Sequence, residues 1–205
     1  SDGLRRVVGE LGADVFVVLS SASPGAAVPA YLAELATDLR VHPDPGRWGL
    51  WREALRIDPG GRRLAAMPDA YFLHPLTAYE LNEHPDTGAY QLRDMSICYA
   101  MIEGHELRRG SAYRQLVYAR ADAFWITSLP PLSLLERVSP EAVWIPDGCD
   151  SDGLNDRMAV VPRRWGARYF DRWHLSLNGT LRPLIRGAQG RRPTWHRGAE
   201  WLLYV

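Results

Sequence analysis

Between Trp144 and Arg163 the chain reads WIPDGCDSDGLNDRMAVVPR, with Asp147, Asp150, Asp152, Asn155 and Asp156 close together. Carboxylates crowded this tightly repel one another, so the loop calls for a cation, a proton or a substrate among them. Gly148 and Gly153 let the backbone turn sharply there. Asp150-Ser151-Asp152 is a D-x-D triplet, which can hold a divalent metal through oxygen and a diphosphate through the metal. Taken alone, the triplet reads more simply as an aspartate-rich turn capping its own amides. An EF-hand is excluded: with Gly153 at the sixth position, Gly148 would be first and Ala159 twelfth, and neither is acidic.

A second constellation is Arg120-Ala121-Asp122, late in an alternating stretch. In open α/β sheets ligands collect beyond the carboxyl ends of strands, where Asp122 can hold a metal and Arg120 can grip a phosphate. The plain alternative is a structural Arg–Asp pair at a strand end. A third is Asn155-Asp156-Arg157, just before the apolar run 158–161. It suits sugar hydroxyls, with Asp156 as general base toward an acceptor hydroxyl. Its alternative is a turn closed by Asp156 and Arg157.

These residues need elements to position them. Residues 14–19 (DVFVVL) form a β-branched and aromatic run that suits a strand covered on both faces. Val28, Tyr31, Leu32, Leu35 and Leu39 then share one helical stripe, with Pro29 in its first turn. Residues 40–85 are punctuated by proline and glycine, an irregular region with one short helix. Residues 90–106 have helical periodicity, with Leu92, Met95, Tyr99 and Ile102 on one side. Residues 116–126 alternate as a strand, 132–138 read as a short helix, and the runs 143–145 and 158–161 read as strand ends. Trp165, Tyr169, Trp173 and Leu177 make a helix stripe closed by Asn178-Gly179. This order predicts an α/β fold with a mostly parallel open sheet flanked by helices, as a single domain over residues 1–205.

Composition removes several classes of function. The 24 basic and 24 acidic residues balance, so nothing draws the chain to nucleic acid, and no apolar run is long enough to be a membrane segment. Every basic residue other than histidine is arginine, which excludes Schiff-base and phosphate-loop lysine chemistry. The six histidines show no zinc-hydrolase spacing, and no G-x-S-x-G elbow, P-loop or G-x-G-x-x-G is present. Cys98 and Cys149 form no metal pattern. Trp48, Trp51 and Trp195 are freer for ring stacking than Trp173, which falls on a core stripe. Asn178-Gly179-Thr180 matches the N-glycosylation acceptor pattern, which matters only in a secretory lumen, and from sequence alone it reads as a chance match. No compartment is assigned, since a targeting segment can have been removed before Ser1.

The succession ADVFVVL, YQLRDMSICYAMIEGHE, YRQLVYARADAFW, VWIPDGCDSDGLNDRMAVVPR, YFDRW and HRGAEWLLYV resembles a group of nucleotide-diphospho-sugar transferases with the glycosyltransferase A-type fold. The resemblance covers residues 14–205, and its most specific parts are Arg120-x-Asp122 and 153–159 (GLNDRMA). It implies a glycosyltransferase A-like sheet in which Asp122 takes the metal and diphosphate role, with Arg120 where a first aspartate often stands. It places Asn155, Arg157 and Glu200 on the acceptor side and Asp156 as catalytic base. A divalent metal, Mn or Mg, is implied at Asp122, Asp150 and Asp152. The implied partners are a nucleotide sugar and a glycan or other hydroxyl acceptor. The base-holding first strand would precede Asp14, and residues 1–13 resemble the helix after it, so the sheet is expected to lack that strand.

The expected activity is therefore transfer of a sugar from a nucleotide-diphosphate donor to a hydroxyl. The competing reading is a non-catalytic carbohydrate-binding or interaction module that keeps the fold, favoured by the missing first strand and by Arg120. A glycoside hydrolase would need two acids flanking one bond, which Asp122 and Asp156 can supply without their spacing demanding it.

Overall fold

A computed structural model describes residues 2–21, 27–58, 87–120, 128–148 and 157–180. In chain order these hold α1 (Asp2–Leu11), β1 (Phe16–Ser21), α2 (Ala30–Leu35), β2 (Asp38–Pro43), α3 (Gly46–Ile57), α4 (Thr87–Arg109), β3 (Gln115–Ala119), α5 (Leu132–Val138), β4 (Met158–Pro162), a single 3-10 turn Arg163–Trp165, α6 (Gly166–Phe170) and α7 (Arg172–Leu177). They group into two compact units. The first takes in residues 1–44, 97–146 and 157–166, and the second residues 45–96, 147–156 and 167–205.

The mostly parallel open sheet of a glycosyltransferase A-like fold does not form among the described residues. Two separate pairs stand in its place: β1 and β2 run parallel, and β3 and β4 run antiparallel. Alternating residues reveal a strand but not the direction of its partner, because the two-residue repeat is common to both kinds of ladder. The parallel pair is a short β–α–β unit, with Phe16 opposite Asp38 and Ser21 opposite Pro43. Its second strand was hidden in the sequence, where Leu39 fits the helical stripe begun at Val28. The helix stops at Leu35, and Ala36 is already extended. Thr37 then accepts the Val15 N–H through Oγ1 at 3.0 Å, turning the chain into β2.

In the antiparallel pair Gln115 lies opposite Pro162 and Ala119 opposite Met158. Trp144 exchanges both backbone bonds with Val160, at 2.9 and 2.8 Å, on the other edge of β4. With partners on both sides, β4 is the innermost strand of the first unit, and Ala159, Val160 and Val161 are completely buried. Val17, Leu32, Tyr99, Met101, Ile102 and Leu116 complete the core of this unit.

The second unit gathers Leu50 and Ala54 of α3, Leu92 and Met95 from the first half of α4, and Tyr169, Phe170, Trp173 and Leu177. Arg93 reaches Glu53 through a two-pronged contact at 2.6 and 2.9 Å. The Glu53 carboxylate holds the Arg93 guanidinium above its ordinary range although burial works against the charge. The aromatic stripe from Trp165 to Leu177 is divided between the 3-10 turn, α6 and α7, with a break at Asp171. Tyr169, Trp173 and Leu177 are buried as the spacing requires, and Gly179 closes the segment at φ 83°.

Candidate functional site

The first unit brings together two stretches that the sequence separates by more than thirty residues. Beyond the last paired residues of β3 and β4, the Arg120 N–H donates to the Arg157 carbonyl at 3.1 Å. The ladder thus runs one step past Ala119 and Met158, and its end is formed by Arg120, which opens R-x-D, and Arg157, which closes N-D-R. Arg157 is exposed and Arg120 half-buried. Two guanidinium-bearing residues side by side on paired backbones suit a multiply charged oxyanion better than a neutral ligand.

The other nominated residues, Asp122, Asp150, Asp152, Asn155, Asp156 and Glu200, lie outside the described residues. Among the described residues no group of three histidine, cysteine, aspartate or glutamate side chains could hold a metal ion. Gly148 adopts φ 81°, the left-handed turn expected of it at the start of the acidic stretch.

Sequence reasoning missed a polar network built on the second half of α4. Glu106 receives Arg163 as a fork, Nε to Oε1 at 2.7 Å and Nη2 to Oε2 at 2.6 Å, while Arg163 Nη1 donates to the Tyr99 hydroxyl at 2.7 Å. The Glu106 side chain is only 9% exposed. The Arg163 hydrogen bond holds its carboxyl below the ordinary glutamate range against the opposing effect of burial, and the Tyr113 N–H adds to the lowering. Arg163 is correspondingly held above the usual arginine range. Burial pushes the Tyr99 hydroxyl up, against the pull of Arg163. Gly166 permits this packing, since a Cβ there would stand 2.9 Å from the Tyr99 ring and 3.1 Å from Leu116.

A signal for this network was present. Glu106 continues the buried stripe of Leu92, Met95, Tyr99 and Ile102 at helical spacing, and a carboxylate on an apolar stripe requires a buried partner.

Tyr113 links this network to a second, wetter one. Its backbone N–H donates to Glu106 Oε1 at 2.9 Å, and its hydroxyl donates to Asp14 Oδ2 at 2.7 Å. That same hydroxyl lies 2.7 Å from His105 Nδ1, which acts as the donor because the hydroxyl proton is committed to Asp14. Arg109 also reaches Asp14, at 3.3 Å, and covers the Tyr113 ring at 4.4 Å. Burial, followed by the neighbouring Asp14 carboxylate, pushes the Tyr113 phenol up to about 12. The group ties the residues before β1 to the end of α4 and the approach to β3. It lies at the amino end of β1, whereas ligands of parallel units collect at the carboxyl end, so we assign it a structural role.

The sequence profile of a family described as Domain of unknown function (DUF7796) matches residues 89–176. The matched stretch holds the Arg120–Arg157 ladder end and the Glu106–Arg163 network, and leaves out the parallel pair. No curated protein matches the chain. No solved structure matches it either. No helix among the described residues is long and apolar enough to cross a membrane.

Proposed function

We propose that this chain transfers a sugar from a nucleoside-diphosphate donor to a hydroxyl acceptor. The observation that supports it best is the backbone bond from Arg120 to Arg157 at 3.1 Å, which joins at one ladder end the two stretches read from sequence as donor-side and acceptor-side. The reading rests on that site and not on a fold class, since one chemistry recurs on unrelated folds.

In this reading Arg120 offsets the charge of the departing diphosphate, and Asn155 and Arg157 orient the acceptor. Asp156 takes the proton of the acceptor hydroxyl. The freed oxygen bonds to the anomeric carbon, and the nucleoside diphosphate leaves with the electron pair of the broken bond. A divalent cation held by Asp122, Asp150 and Asp152 would add further charge neutralisation at the diphosphate when bound.

The test is a thermal-shift series with UDP, GDP, CDP and their sugars, with and without manganese, followed by a transfer assay with the responding donor. One nucleotide should raise the melting temperature selectively, and Arg120→Ala should diminish that rise. Asp156→Asn should retain donor binding and lose transfer. A chain that melts cooperatively but responds to no nucleotide overturns the proposal, and stabilisation by glycan alone would point to the binding-module reading instead.

A further inference from the structure

We propose that Asn178 is an N-glycosylation site, which places the chain in a secretory lumen during its synthesis. The chain has three asparagines, and only Asn178 begins an N-x-[ST] pattern, as Asn82 is followed by Glu-His and Asn155 by Asp-Arg. The pattern alone is weak, and the structure adds three observations to it.

First, the triplet sits at the surface. Asn178 and Thr180 are both exposed, immediately after the buried Ser176 and Leu177 that end α7. A bulky hydrophilic glycan on Asn178 would displace none of the core side chains Tyr169, Phe170, Trp173 and Leu177.

Second, the local geometry folds the asparagine side chain back over the threonine. The Thr180 backbone N–H donates to Asn178 Oδ1 at 2.9 Å. That bond closes a tight Asx-type turn across the triplet. The same carbonyl therefore stays engaged while the amide nitrogen is the atom to be modified.

Third, the middle residue meets the demands of the turn. Gly179 adopts φ 83°, open to glycine at no steric cost and closed to proline, the one residue that disables such a triplet. A substituted chain could keep the pattern in sequence and lose this turn.

The chemical step requires a lipid-diphosphate-linked oligosaccharide as donor. Asn178 Nδ2 gives up one proton to a base and forms a bond to the anomeric carbon of the sugar. The bond from that carbon to the diphosphate oxygen breaks, and the lipid diphosphate leaves with the electron pair. The inference is independent of the glycosyl-transfer reading, because it concerns the chain as an acceptor and uses none of the residues assigned to that reaction.

The decisive experiment recovers the full-length native protein from its own cells and treats it with peptide-N-glycosidase in heavy-oxygen water. The peptide that contains Asn178 should carry the label as aspartate, and the intact chain should lose mass on treatment. A parallel incubation without the enzyme measures spontaneous hydrolysis of the Asn-Gly amide, which yields the same aspartate. In the same cells, Asn178→Gln and Thr180→Ala should each abolish the mass loss, whereas Thr180→Ser should retain it. Thr180→Ala keeps the asparagine, so it answers the question even where Asn178→Gln fails to accumulate. An unmodified Asn178 peptide in the native protein, or a label equal to that of the enzyme-free incubation, overturns the inference.

Discussion

Tyr113 stands between two polar networks that use the same kinds of groups under opposite conditions. Its backbone serves Glu106, whose carboxylate is almost fully buried, and its hydroxyl serves Asp14, whose side chain is 37% exposed. Around Glu106 every oxygen is engaged, by Arg163 in a fork and by the Tyr113 N–H. Around Asp14 the partners are as numerous, yet solvent competes with each. The number of hydrogen bonds is thus a poor guide to what a network holds in place. What matters is what remains after one partner is removed: a buried charge without relief in the first case, a rehydrated side chain in the second.

The comparison can be broken most directly at Glu106. Glu106→Gln should destabilise the protein by about 2–3 kcal/mol, because the partly solvated Arg163 loses its nearest countercharge and, among the described residues, keeps only the exposed Glu103 at 3.7 Å. Urea unfolding should show a lower midpoint with an unchanged slope. An unaltered midpoint would mean that the fork contributes nothing net.

The same residue sharpens the contrast through pH. The folded-state pKa of Glu106 is lowered, so its contribution is fully present above the ordinary glutamate value of about 4.3. It is lost as pH falls from there through the lowered value. The stability gap between wild type and Glu106→Gln should therefore narrow on acidification, and a constant gap would show that the carboxylate's charge is irrelevant.

Tyr113→Phe removes the hydroxyl shared by Asp14 and His105 but leaves the backbone bond to Glu106. The expected loss is about 0.5–1 kcal/mol, discounted for the exposure of Asp14, and is readable as a small drop in melting temperature. A loss as large as that of Glu106→Gln would erase the distinction between the networks. At the bottom of the series, Arg114 pairs with Glu136 on the surface with 80% of its side chain exposed. Arg114→Ala should leave the unfolding midpoint where it was.

Much of the local structure was legible from residue spacing. The helix α5 has the bounds read from sequence, the stripe of α4 is buried as read, and the run at 158–161, read as a strand end, lies in β4. The helical stripe through Leu39 misled, because one apolar residue at the right spacing cannot tell a last helical turn from a first strand residue. Of the candidate site, the sequence marked Arg120 and Arg157 individually. That they share one ladder end was not visible, since nothing local records which residues pair across a long excursion.

By itself the sequence determined where α4, α5 and β4 lie, which face α4 buries, and where Gly148 and Gly179 turn the chain, because these follow from short-range periodicity and backbone sterics. The tertiary structure alone decided that one strand pair is parallel and the other antiparallel, and that Arg120 meets Arg157. It also decided that the carboxylate of Glu106 meets the guanidinium of Arg163 across 57 residues. Each of these is a long-range match, selected by the burial of β4 and by the cost of leaving a charge unpaired in the core.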